Sequence, residues 1–153
     1  MSDKGGMGEV RLEIHIEASP ETVFAFLTEQ EKLATWMAEL VVAVGQPGGR
    51  LHAAGPVKAV EGTYLEIIPH EKVVFTWGGV DNLAPGQTTV EFRLRPEGSG
   101  TLLTLRHYNL PKPLVDAHKE GWAHGLPKLR DAAEGHPQPV TCFGEKVDKG
   151  GAT

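Results

Sequence analysis

Residues 113–135 read PLVDAHKEGWAHGLPKLRDAAEG, and this stretch decides the fold. At helical period, Leu114, Val115, His118, Trp122, Leu126, Leu129 and Ala133 fall on one stripe. Asp116, Lys119, Glu120, Lys128, Arg130 and Asp131 occupy the rest of the circumference. Pro113 suits a first helical position and Gly135 the residue just past a helix end. The pattern predicts a long amphipathic C-terminal helix laid by its apolar stripe onto a large surface. Gly121 and Gly125 sit on or beside that stripe, where each costs about 1 kcal/mol relative to alanine. Glycine there either lets a sheet approach closely or leaves room beneath the helix. His118 stands in the middle of the stripe, and Pro127 is expected on the opposite, solvent side.

The surface for that helix to grip comes from the residues before it. Residues 9–17 alternate, with Val10, Leu12, Ile14 and Ile16 on one face and Arg11, Glu13, His15 and Glu17 on the other, the pattern of a half-buried strand. His15 falls on the wet face and is given no role. Ser19-Pro20-Glu21 is a helix start, combining a hydroxyl cap, a proline at the first position and an acid near the positive dipole end. A second short helix is expected over residues 31–37, carrying Leu33, Trp36 and Met37. Strands follow at 40–44, 50–54, 57–68, 72–78, 88–95 and 101–108, separated by Gly- and Pro-rich turns. Gly62 inside the fourth run predicts a bulge, and residues 96–100 predict a hairpin loop. Consecutive hairpins between an N-terminal strand and a C-terminal helix imply an antiparallel, curved sheet in an α+β fold.

Composition narrows the class. A chain of 153 residues suits one domain, which at that size buries roughly 68–70% of its unfolded surface. A formal charge of -5 argues against a nucleic-acid groove, and no apolar run reaches the ~20 residues of a membrane span. The single cysteine, Cys142, excludes an internal disulfide framework and is consistent with a reducing cytoplasm. The expected organisation is a flexible N-terminus (1–8), one domain (9–134) and a flexible, Pro/Gly-rich tail (135–153), in which Cys142 and Phe143 are the only features.

Four segments carry a likeness: IEASPETVFAFLTEQEKLATWM (16–37), GTYLEIIPHEKVVFTWG (62–78), TTVEFRLRPEGSGTLLTLRHYNLP (88–111) and HKEGWAHGLPKL (118–129). In this order they resemble the family of activator of heat-shock-protein-90 ATPase homologues, within the START-like, or helix-grip, superfamily. The resemblance covers about residues 9–134. It implies a seven-stranded antiparallel sheet curled round the long C-terminal helix, with two short helices after the first strand. The superfamily resembles a set of containers for hydrophobic small molecules, and some members are cyclases. Trp36-Met37 departs from the paired aromatic of many members. The cochaperone branch that names the family also carries a separate N-terminal domain that grips the chaperone, which this sequence does not include.

The candidate ligand-binding residues are Trp36, Tyr64, Trp77, His107, His118 and Trp122, an aromatic lining with a few polar handles. His107 shares a strand face with Leu103 and Leu105, so it faces inward with them. Two imidazoles facing one interior can orient a polar group or act as general acid and base. The plainer reading makes each a core histidine bonded to a backbone carbonyl, and makes the aromatics core packing. No metal or cofactor is expected: seven histidines are scattered, and His118 and His124 lie on different helix faces. Three functions follow: a binding protein for a hydrophobic or amphipathic small molecule, a cyclase-like enzyme using His107 or His118, or a chaperone-linked interaction protein.

Overall fold

The computed structural model describes residues 7–55, 58–80 and 83–137. In chain order the elements are β1 (Met7–Ile16), α1 (Pro20–Thr28), α2 (Gln30–Leu33), β2 (Leu40–Ala43), β3 (Arg50–Ala54), β4 (Ala59–Ile68), β5 (Lys72–Trp77), β6 (Thr88–Glu97), β7 (Gly100–Pro111) and α3 (Val115–Ala133). The seven strands form one sheet in the order β1-β7-β6-β5-β4-β3-β2, with every neighbouring pair antiparallel. Strands β2 to β7 therefore sit beside their sequence neighbours. Only β1 breaks the order, pairing with β7, and α1 and α2 carry the chain from that edge to β2 at the other. This is the helix-grip architecture.

Local chemistry accounts for the elements. Ser19 caps α1 through its side-chain oxygen, which accepts from the Thr22 amide at 3.1 Å, and Pro20 opens the helix. Alternation builds β6: Val90, Phe92 and Leu94 are buried, whereas Arg93 and Arg95 on the other face are exposed. On α3, His118, Trp122, Leu126 and Leu129 are buried as the stripe requires, joined by Gly121, Gly125 and Ala132. Gly135, at φ 96°, stops the helix where a side chain would be strained.

Several boundaries differ from the sequence expectation. α2 ends at Leu33 because Thr35 and Trp36 close tighter i→i+3 bonds to Lys32 and Leu33, a turn that swings Trp36 and Met37 into the core. The β6–β7 hairpin is tighter than a five-residue loop, with Glu97 paired directly to Gly100. Gly62 marks a close approach instead of a bulge: a Cβ there would lie 1.9 Å from the Thr76 carbonyl oxygen. The register shift falls between Tyr64 and Glu66. Pro113 lies in a 3-10 turn (Lys112–Leu114) ahead of α3, and Pro127 is half-buried, not solvent-facing. β1 begins at Met7, and Val57, Cys142 and Phe143 lie outside the described residues.

His15 does have a structural role. Its two ring nitrogens meet Glu97 Oε1 at 2.6 Å and Glu17 Oε2 at 2.7 Å, and Ser99 Oγ donates to Glu17 Oε1 at 2.6 Å. Two carboxylates need two N–H donors, so this clamp between the end of β1 and the β6–β7 turn uses the imidazolium. Its bonds to Glu17 and then Glu97 raise the His15 pKa. The clamp's stability is fully present below the unfolded value of about 6.5 and is lost as pH rises through the raised folded value. Thermal melts from about pH 6 to pH 9 should therefore fall more steeply for the wild type than for His15→Gln, and high salt should shrink the difference. Parallel profiles at low salt would show that the clamp does not contribute.

Candidate functional site

The inward faces of β5, β6 and β7 and the buried stripe of α3 enclose one aromatic cluster. Alternation aims Val73, Phe75 and Trp77 inward from β5, Thr88, Val90 and Phe92 from β6, and Leu103, Leu105 and His107 from β7. Trp122 descends from α3 between them. Its ring centroid lies 5.1 Å from Trp77, 5.8 Å from Phe92 and 6.0 Å from His107. His107 and His118 stack edge to face at 5.2 Å. Four of the six expected residues, Trp77, His107, His118 and Trp122, thus come together.

The other two stand further off. Tyr64 joins through Phe75, 5.8 Å away, and its hydroxyl donates to the Leu27 carbonyl at 2.9 Å. Burial raises the Tyr64 pKa, so the phenol stays protonated. Trp36 turns under α1, where Nε1–H donates to the Phe26 carbonyl at 2.8 Å. Tyr64 thus ties α1 to β4, and Trp36 ties it to the turn after α2.

A polar relay runs through the cluster, and its hydrogen positions follow from donor chemistry. Trp122 Nε1–H can only donate, and it meets His107 Nδ1 at 2.9 Å. Nδ1 is therefore the acceptor, and the proton sits on Nε2, which donates to Thr88 Oγ1 at 2.7 Å. The Thr88 hydroxyl in turn donates to the Trp77 carbonyl, also at 2.7 Å. His107 is a neutral imidazole bonded at both nitrogens to side chains, not to a backbone carbonyl. His118 does bond to the backbone: Nδ1–H donates to the Leu114 carbonyl one turn earlier, at 2.9 Å. Thr88 escaped the sequence reading, although its parity with Val90, Phe92 and Leu94 marks it as a buried hydroxyl.

The cluster is closed. Trp36, Trp77 and Phe75 are 1% exposed, and Tyr64, His107, Trp122 and Phe92 are 0% exposed. A side chain bordering a void that admits water would show accessible area, so these residues pack directly on one another.

Burial, and then the nearby His118, lowers the His107 pKa from 6.5 to about 3. Native His107 stays neutral while the unfolded chain takes up a proton below about 6.5. Its depressed value therefore costs stability as pH falls from about 6.5 towards 3, at up to ~1.4 kcal/mol per pH unit. Urea denaturation across that window should show this fall, and His107→Gln should flatten it. An unchanged slope in the variant would mean that His107 is not the group responsible.

The family model described as "Activator of Hsp90 ATPase homolog 1-like protein" matches residues 17–134. Among curated proteins no match is found. The chain is similar to the Aha1 dimer from Colwellia psychrerythraea, at 23% identity over 83% of this chain and 96% of that one, with a TM-score of 0.75. It is similar to CalU16 from Micromonospora echinospora at 23% identity, covering 86% and 77% of the two chains, with a TM-score of 0.71. At these identities the likeness is one of fold. An AHSA1-like protein from Rhizobium etli is 33% identical over 93% of this chain and 92% of its own, with a TM-score of 0.69. The matched span runs from the end of β1 to the end of α3, and the chain belongs to the Activator of Hsp90 ATPase homolog 1-like family.

Proposed function

We propose that this chain is a START-like binding protein that holds a hydrophobic or amphipathic small molecule between the sheet and α3, and that the packed interior is its closed state. The observation that carries this reading is the way α3 meets the sheet. Its backbone runs close to β1, whereas towards β5 and β6 the space is spanned by the rings of Trp122, Trp77 and Phe92. Side chains that fill such a gap can rotate out of it without unfolding either element. The walls they would uncover are aromatic, with a small set of convergent polar groups in Trp122, His107 and Thr88, the usual build of a small-molecule site. Trp36 and Tyr64 close the α1 end of the same interior. The single cysteine supports a reducing, cytoplasmic setting.

A cyclase-like acid–base role finds less support. In the closed state both His107 nitrogens are engaged and its pKa lies near 3, far from the neutral range a general base needs.

The test is native mass spectrometry of protein re-purified after incubation with a cell extract, alongside thermal shifts against a lipid and polyketide panel. A binder should return a reproducible adduct, and a saturating ligand should raise Tm by roughly 5–10 °C. Gly125→Leu, which places bulk beneath α3, should lose the adduct. A clean unliganded mass with no thermal shift across the panel would end the container reading.

A further inference from the structure

The opposite face of the sheet carries a cavity that the helix-side reading does not use. It is about 260 Å3 in volume and is lined by Ile68, Lys72, Arg93, Arg95, Leu102 and Thr104, with Glu71 and Leu94 completing it. The register builds it. Ile68 pairs with Lys72, Lys72 with Arg93 and Arg93 with Thr104, forming one row across β4 to β7. Arg95 and Leu102 are partners in the next row.

Two features set this patch apart from an ordinary solvated sheet face. First, Lys72 and Arg93 stand directly opposite each other on neighbouring strands, an arrangement of like charges that destabilises a sheet. Lys72 is relieved by Glu66 at 2.9 Å and Arg93 by Glu91, but Arg95 has no carboxylate partner among the described residues. Glu66 and Glu91 offset two of the three cations, so the positive charge the lining leaves open is that of the Arg95 guanidinium, beside the paired Lys72 and Arg93. Second, Leu102 is only 8% exposed although it lies on the outward face, and Ile68 stands near it at 37% exposure. An open guanidinium beside an apolar floor matches an amphipathic anion.

We propose that this cavity binds a small organic anion, its phosphate or carboxylate group held by Arg95, with Lys72 and Arg93 beside it, and its short apolar body lying on Ile68 and Leu102. Arginine suits this role, since its planar fork meets carboxylate and phosphate oxygens in pairs. Thr104 adds a hydroxyl donor. The size limits the ligand: 260 Å3 falls below the ~300–1,000 Å3 typical of drug-sized sites. The site is separated by the sheet from the interior described above and stands whether or not that interior opens.

NMR titration of the isotope-labelled protein with hexyl phosphate, and separately with inorganic phosphate, tests the assignment. Hexyl phosphate has about eleven non-hydrogen atoms, so its Kd should be on the order of a millimolar. Saturable shifts should centre on Lys72, Arg93, Arg95 and Leu102. Arg95→Gln should weaken binding about five-fold or more, and inorganic phosphate should bind several-fold more weakly than the hexyl ester. Arg11→Gln, on the same face but outside the cavity, should leave binding unchanged. The proposal is overturned if shifts do not saturate, if they centre on the interior cluster, or if Arg95→Gln binds like the wild type. Equal affinity for the two phosphates would also overturn it, because the apolar floor would then contribute nothing.

Discussion

The bond from Trp122 Nε1–H to His107 Nδ1 joins the helix to the sheet inside the aromatic cluster, and much else depends on it. It fixes the His107 tautomer, which turns Nε2–H towards Thr88, which in turn aims the hydroxyl at the end of β5. One indole N–H on α3 therefore sets the orientation of groups on three strands. A buried polar network of this kind is favourable only when every member is satisfied, because an orphaned buried group costs about 1–3 kcal/mol. That constraint ties the rotation of α3 about its axis to the register of β6 against β7. A one-residue slip in either strand would turn Thr88 or His107 to the outward face and break the chain of donors.

Much of this fold is legible in the sequence, because the signals are local. The stripe on residues 113–135, the alternation of residues 9–17 and 88–95, and the Ser19-Pro20 start each predict their element. Counting hairpins then gives an antiparallel sheet, the resemblance supplies the helix-grip arrangement, and the pairing of β1 with β7 has no local signal. The aromatic cluster is partly legible as well: inward parity places Trp77 and His107, and helical spacing places His118 and Trp122. The bonding between them is not. Which nitrogen of His107 accepts depends on a contact from another element fifteen residues along the chain, and the role of Thr88 depends on the β6–β7 register. Short-range patterns hold no information about such pairings. The same reason explains His15, whose wet-face position is plain from alternation but whose partner Glu97 comes from a hairpin far along the chain.

The two faces of the sheet solve different problems. Inside, packing density and hydrogen-bond satisfaction dominate, and the charged groups sit elsewhere. Outside, Glu9, Arg11, Glu66, Lys72, Glu91, Arg93 and Arg106 form cross-strand and near-neighbour ion pairs whose individual worth is small in water. The edges are managed as well. On β2, at the end of the sheet, the Ala43 amide is taken by the Gln30 side chain at 3.0 Å, so part of the free edge is capped from α2. This limits the row of open donors and acceptors that invites another strand to pair, on an edge whose Leu40, Val42 and Val44 are exposed.

A closed interior sets terms for any ligand that enters it on the binding reading proposed above. The competent state must open first, and the apparent affinity falls in proportion to the fraction of molecules that are open. Opening breaks the Trp122–His107 bond and removes the tilted contact between Trp122 and Trp77, so a purely apolar ligand would restore the burial but leave two polar groups unmet. A ligand carrying one acceptor for the Trp122 N–H and one donor for His107 Nδ1 would restore both. The depressed pKa of His107 reinforces this choice, since a neutral imidazole offers a lone pair and not a charge. On that reading, the ligand that would match the relay is an apolar body with a single hydroxyl-like group that accepts and donates at once.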